Sequence, residues 1–87
     1  MPPEPQSVEI EDEYVHVRYR DPDGFEEIRT PDWAENAASS VSEGAEVRTG
    51  KREGGDEWEI QSVLIRKQAG EEKAREQANE IVEKIES

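Results

Sequence analysis

Residues 14–20 alternate between apolar and polar positions. Val15, Val17 and Tyr19 fall on one side, and Tyr14, His16, Arg18 and Arg20 on the other. A period of two in β-branched and aromatic residues predicts a strand with one buried and one wet face. Asp21-Pro22-Asp23-Gly24 follows. Proline presets a turn dihedral, glycine permits positive φ, and aspartate can accept from its own backbone. Phe25 to Arg29 reads as the returning strand, so residues 14–29 are expected to form a hairpin. Ala45–Arg52 and Glu57–Lys67 predict a second hairpin about Glu53-Gly54-Gly55-Asp56. In its second arm Trp58 and Ile60 share a face, and the phase then shifts to Val63 and Ile65. A β-bulge near Gln61-Ser62 reconciles the two halves.

Two stretches carry helical spacing. Thr30-Pro31-Asp32 opens the first, with Thr30 as cap, Pro31 at the first helical position and Asp32 at the positive end of the dipole. Trp33, Ala37 and Val41 recur at i, i+4 and i+8, with Ala34 and Ala38 beside them and Gly44 placed to end the helix. The small alanine face permits close approach to a sheet. Gly70 to Glu86 is the second helix, with Ala74, Ala78, Ile81, Val82 and Ile85 on one stripe. Glu71 with Arg75, and Glu80 with Lys84, stand four residues apart in the favourable order.

The expected fold is α+β: a four-stranded antiparallel sheet with two helices on one face, in the order ββαββα, its other face open. Phe25 and Trp58 each open a returning strand, so the elements correspond as two ββα units, although residue identity is too sparse to show a duplication. Trp33 and Trp58 are expected as core anchors beneath the two hairpins. Residues 1–7, with three prolines, read as a disordered, polyproline-like tail. The acidic run Glu9 to Glu13 continues that tail or pairs as a weak edge. Residues 8–87 are expected to form a single domain.

Composition adjusts this picture. The 87 residues suffice for one domain with a small core. Leu, Ile, Val and Phe together number 15, and the net charge is −12. That balance lies toward disordered chains. The periodicity favours a folded chain, so the acidity becomes a question of stability. The absence of cysteine excludes disulfides, thiolate metal sites and thiol catalysis. No secretory signal and no long apolar run is present, and the expected location is cytoplasmic.

Lysine is scarce, with four Lys against seven Arg and 23 acidic residues. At about 1 M salt the Debye length falls to roughly 3 Å, which screens carboxylate repulsion. In dilute buffer the same charges oppose a thin core. With endings such as Glu80-Ile81-Val82-Glu83-Lys84-Ile85-Glu86, the whole chain resembles the small uncharacterised proteins of halophilic archaea. The resemblance rests on composition. It implies a cytoplasmic protein working in concentrated salt and assigns a role to no residue.

Positive charge concentrates in the strands. Residues 14–20, 45–52 and 60–67 each sum to +2, while tail, turns and helices are acidic. By strand parity Arg18 and Arg20 belong on the open sheet face, where Arg48, Arg66 and Lys67 join them beside Tyr14 and His16. Arginine with aromatic neighbours suits phosphate, carboxylate or stacked-base contacts. The same arginines could instead pair across strands with Glu26, Glu46 and Glu59. An open face of this composition also suits a protein interface, and small domains with thin cores often complete themselves as homodimers.

The functional expectation is a non-catalytic binding or interaction domain adapted to high salt, either alone or as a homodimer through the open sheet face. Its candidate site is Tyr14, His16, Arg18, Arg20, Arg48 and Arg66. The alternatives are a nucleic-acid-contacting module using that face, and an enzyme whose site forms on dimerisation. No cofactor or metal is expected. His16 is the single histidine and reads as an exposed strand residue, too little for a zinc site. Asp21-Pro22-Asp23-Gly24 lacks the remaining positions of a calcium loop. Gly54-Gly55 is not followed by Gly-Lys-Ser/Thr.

Overall fold

The structure, a computed structural model, describes residues 4–55 and 57–86. Met1 to Pro3 of the proline-rich stretch and Asp56 of the second turn therefore lie outside the described residues. The fold is α+β, with an antiparallel sheet and two helices. The strands are β1 (Ser7–Glu11), β2 (Tyr14–Arg18), β3 (Glu27–Arg29), β4 (Glu46–Lys51) and β5 (Trp58–Arg66). Helix α1 (Asp32–Val41) lies between β3 and β4, and α2 (Glu71–Glu86) ends the chain.

The sheet has five strands rather than the expected four, in the spatial order β1-β2-β5-β4-β3, and the element order is βββαββα. The added strand is β1, which begins at Ser7, inside the stretch read as tail. Val8 and Ile10 alternate with Ser7, Glu9 and Glu11 and pair with Val17 and Val15 of β2. The connection is only Asp12-Glu13, and Asp12 takes φ +53°. Aspartate is one of the few non-glycine residues that enters this region readily.

The hairpin expected over residues 14–29 does not form. β2 pairs with β1 and β5, whereas β3 pairs with β4 at the opposite edge. The turn chemistry at 21–24 is nonetheless present: Asp21 Oδ1 accepts from the Asp23 N–H at 2.9 Å, capping one 3-10 turn over Pro22–Gly24. That turn redirects the chain past the end of β5 and β4 instead of reversing it. Because β2 and β3 are not neighbours, the two expected ββα units are not equivalent.

The β4–β5 hairpin forms as the pattern indicates. Its register moves from Arg48↔Ser62 to Thr49↔Ile60, leaving Gln61 as the extra residue on β5. This is the bulge that the apolar phase shift predicted. Gln61 ties the bulge to the end of β2. Its backbone carbonyl accepts from the Tyr19 and Arg20 N–H groups, and its side-chain amide donates to the Arg20 carbonyl at 2.9 Å. The extra residue therefore leaves its own polar groups satisfied.

One face of the sheet packs on both helices. Val15 and Val17, Val47, and Ile60, Val63 and Ile65 meet Ala34 and Ala38 of α1 and Ala74, Ala78, Ile81 and Val82 of α2. Four alanines at the helix surfaces let α1, α2 and the sheet approach closely. Tyr19 spans the layers, its hydroxyl donating to Asn79 Oδ1 at 2.7 Å.

Two details of α1 differ from expectation. Pro31, not Thr30, is the cap residue, without a side-chain cap hydrogen bond, and the helix begins at Asp32. The buried stripe runs through Ala34 and Ala38 rather than Trp33 and Ala37. An indole on the inward face would hold the helix away from the sheet, and the alanines win that competition.

Candidate binding surfaces

Two regions carry exposed chemistry, one on each side of the sheet. The first is the face opposite the helices. Register places Arg18, Ser62 and Arg48 in one row across β2, β5 and β4, and His16, Leu64 and Glu46 in the next. Tyr14 and Arg66 form the row after that. Five of the six residues expected to form a site are thus gathered on this face, and Arg20 follows the end of β2.

Their charge is largely engaged. Arg18 donates to Glu9 at 2.7 Å and to Glu11 at 3.0 Å, both on β1. Donating this hydrogen bond to Glu9 holds the guanidinium pKa above its ordinary value. His16 Nε2 lies 3.9 Å from Glu11. Arg20 shares Glu59 with Arg52, at 3.3 and 2.7 Å, and donates to the Ile60 carbonyl at 2.6 Å. Lys67 approaches Glu13 at 3.7 Å. Cross-strand pairing was one expectation, but only Glu59 of the expected partners takes part in these pairs; β1 supplies Glu9 and Glu11, and the turn after it supplies Glu13. Arg48 and Arg66 make no ion pair among the described residues. Arg66 lies over Gly44, where any Cβ would strike its guanidinium.

This face also has a buried layer of its own. Leu64 points away from the helices yet is 3% exposed, with Ser62 and Gln61 similarly covered. Toward β3, Phe25 packs onto Gly50, where a Cβ would collide with the ring, and Arg52 stacks on that ring at 4.9 Å.

The second region lies on the helix side, beyond the reach of both helices. The first turn of α1 and the last turn of α2 leave uncovered the sheet end where β5 begins. Trp33 and Trp58 line that gap and are 56% and 38% exposed. Neither is the core anchor that the sequence suggested. Trp58 has core-side parity but stands past the helix ends, and Trp33 sits one position off the buried stripe. The cleft between them has a volume of about 520 Å³, with Ile60, Ile85, Glu57 and Glu59 among its walls. A smaller depression of about 190 Å³ adjoins it, sharing Trp33, Thr49 and Trp58 and bounded by Arg29 and Pro31.

The floor is fixed by hydrogen bonding. Thr49 is buried, and its hydroxyl donates to the Arg29 carbonyl at 3.1 Å, which joins β4 to the edge strand β3. Arg29 in turn lays its guanidinium over Trp58, 5.6 Å from the ring centroid, and pairs with Glu27. Glu57 makes no ion pair among the described residues.

Among the described residues no cluster of three or more His, Asp or Glu side chains is arranged to hold a metal ion. No helix among them is long and apolar enough to cross a membrane. Comparison with protein-family models, with curated proteins and with solved structures finds no match for this chain.

Proposed function

We propose that the chain is a non-catalytic binding domain whose contact surface is the tryptophan cleft. The observation that carries this reading is the exposure of Trp33 and Trp58 within one cleft. Large aromatic side chains left half in water are costly in a protein with so few apolar residues, and paired in a concave site they offer broad contact area at low entropic cost. The test is nuclear magnetic resonance of the two indole N–H groups. Short arginine-rich, proline-rich and glutamate-rich peptides and an oligothymidylate serve as probes. A probe that binds is expected to shift both indole signals and leave Tyr14, His16 and Arg48 unmoved. A probe that shifts those three and spares the indoles would remove the assignment.

A second reading rests on Arg48 and Arg66, the cations of the open face that make no ion pair among the described residues. It makes that face a contact for single-stranded nucleic acid or for a second copy of the chain. In the same experiment the oligothymidylate alone would move Arg48 and His16. Sedimentation that showed only monomer in about 2 M KCl would end the homodimer form of this reading.

We also read the acidity as adaptation to concentrated salt. Screening relieves a net charge of −12 around a core built mainly of Val, Ile and Ala. The melting temperature is expected to rise steeply between about 0.1 and 2 M KCl, where the Debye length falls from roughly 10 Å to below 3 Å. A flat profile would show that the carboxylates are too far apart to oppose folding.

A further inference from the structure

The cleft's chemistry narrows what it can hold. Arg29 already demonstrates one solution: a guanidinium stacked on Trp58 at 5.6 Å. Trp33 presents a second indole in the same cleft, more exposed than the first. The arginines that border the site are engaged, Arg20 by Glu59 and Arg29 by Glu27. Glu57 makes no ion pair among the described residues, and the charged residues that line the cleft, Arg20, Glu57 and Glu59, leave it one net negative charge for an incoming group. The chain as a whole carries −12.

We propose that the cleft receives an arginine side chain from a basic segment of a partner protein, stacked on Trp33 as Arg29 is on Trp58 and paired with Glu57. This inference rests on the cleft being the binding surface. Three physical terms favour such an occupant. A guanidinium is planar and weakly hydrated, so it stacks on indole better than an ammonium does. A carboxylate at the edge of an aromatic face adds a charge-assisted hydrogen bond. The acidic field of the whole domain raises the encounter rate of a basic segment. Concentrated salt screens the field but leaves the short-range stacking, so discrimination between arginine and lysine persists when steering is lost.

Arg29 then has a specific part. It occupies the face of Trp58 and competes with any second guanidinium for it. Removing Arg29 is expected to tighten arginine binding, an outcome that a purely structural Arg29 would not produce.

The test is a fluorescence titration with an oligo-arginine peptide, with oligo-lysine, proline-rich and oligo-glutamate peptides as comparisons. Oligo-arginine is expected to bind more tightly than oligo-lysine. Trp33→Ala is expected to weaken oligo-arginine binding by about tenfold, in the range of a desolvated cation–π contact, with Trp58 still reporting. Glu57→Gln is expected to weaken it by about threefold, the scale of a partly exposed ion pair. Glu72→Gln removes the same charge from the exposed start of α2 and is expected to leave binding unchanged. Arg29→Ala is expected to strengthen it severalfold.

Equal losses for Glu57→Gln and Glu72→Gln, or none for Trp33→Ala, would mean that the peptide merely coats an acidic surface, and the inference fails. Trp33-dependent binding of the proline-rich peptide in place of oligo-arginine would overturn the occupant and leave the cleft as the binding surface. Binding of no probe at the cleft overturns both.

Discussion

The two faces of one sheet treat their large side chains in opposite ways. On the open face Arg18 is held by two carboxylates of β1, and Leu64 is buried although no helix covers it. On the helix-covered face, where burial is expected, two tryptophans remain in water at the end of the sheet. The difference comes from where neighbouring elements stop. β1 runs alongside β2 and delivers Glu9 and Glu11 onto Arg18. The helices, by contrast, end short of the start of β5. Layer membership therefore says less about exposure here than position along the strand does.

The largest test of this contrast is Leu64→Ala. A loss of about 2–5 kcal/mol in chemical denaturation is expected if the open face has its own buried layer. A loss below about 1 kcal/mol would show a loose polar covering and restore the simpler picture of a wet face.

On the other side of the sheet, Ala38→Leu is expected to cost about 1–3 kcal/mol, because an inserted side chain must force α1 off the sheet. Trp33→Ala, five residues earlier on the same helix, is expected to change stability by no more than about 0.5 kcal/mol. Comparable losses for the two would place the indole in the core after all. A comparably small effect, about 0–1 kcal/mol, is expected from Arg18→Ala, since its side chain is 31% exposed and those of Glu9 and Glu11 are 55% and 51% exposed. That loss should shrink further in KCl. A salt-independent loss would mean that Arg18 acts by packing its stem, not by charge.

Much of the fold was legible. The α2 stripe, the β4–β5 hairpin and the bulge at Gln61 all follow from apolar spacing, because each lies where a single face is buried and a slip would expose it. β1 was harder to read because Asp12-Glu13 lacks the glycine that marks a tight hairpin, although the alternation of Val8 and Ile10 is the signal that could have found it. The pairing of β3 was not legible at all. Three residues with an exposed Ile28 carry little pattern, and the local turn at 21–24 is equally compatible with reversal and with crossing. β3 is held beside β4 by contacts between segments far apart in sequence: Phe25 seated on Gly50, the Thr49 hydroxyl donating to the Arg29 carbonyl, and the ladder itself.

The candidate site was half legible. Parity correctly gathered Tyr14, His16, Arg18, Arg48 and Arg66 on one face. Their pairing depended on the unrecognised β1. The tryptophans were read by residue type, as core, because exposure is decided by helix ends that spacing fixes only to within a few residues.

The cleft is assembled from Arg29, Trp33, Trp58 and Ile85, which belong to four separate segments. Arg29 and Trp33 are near in sequence, but local structure brings neither of them to Trp58 or Ile85. Occupancy of the cleft is thus thermodynamically linked to folding of the whole chain. Any ligand that needs Trp33, Trp58 and Ile85 together binds the native state and not the unfolded one, and at a hundredfold excess over its dissociation constant it adds about 2.7 kcal/mol. For a domain with a core this thin, that is a large fraction of ordinary stability. A partner bound in the proposed way would become part of what keeps the chain folded.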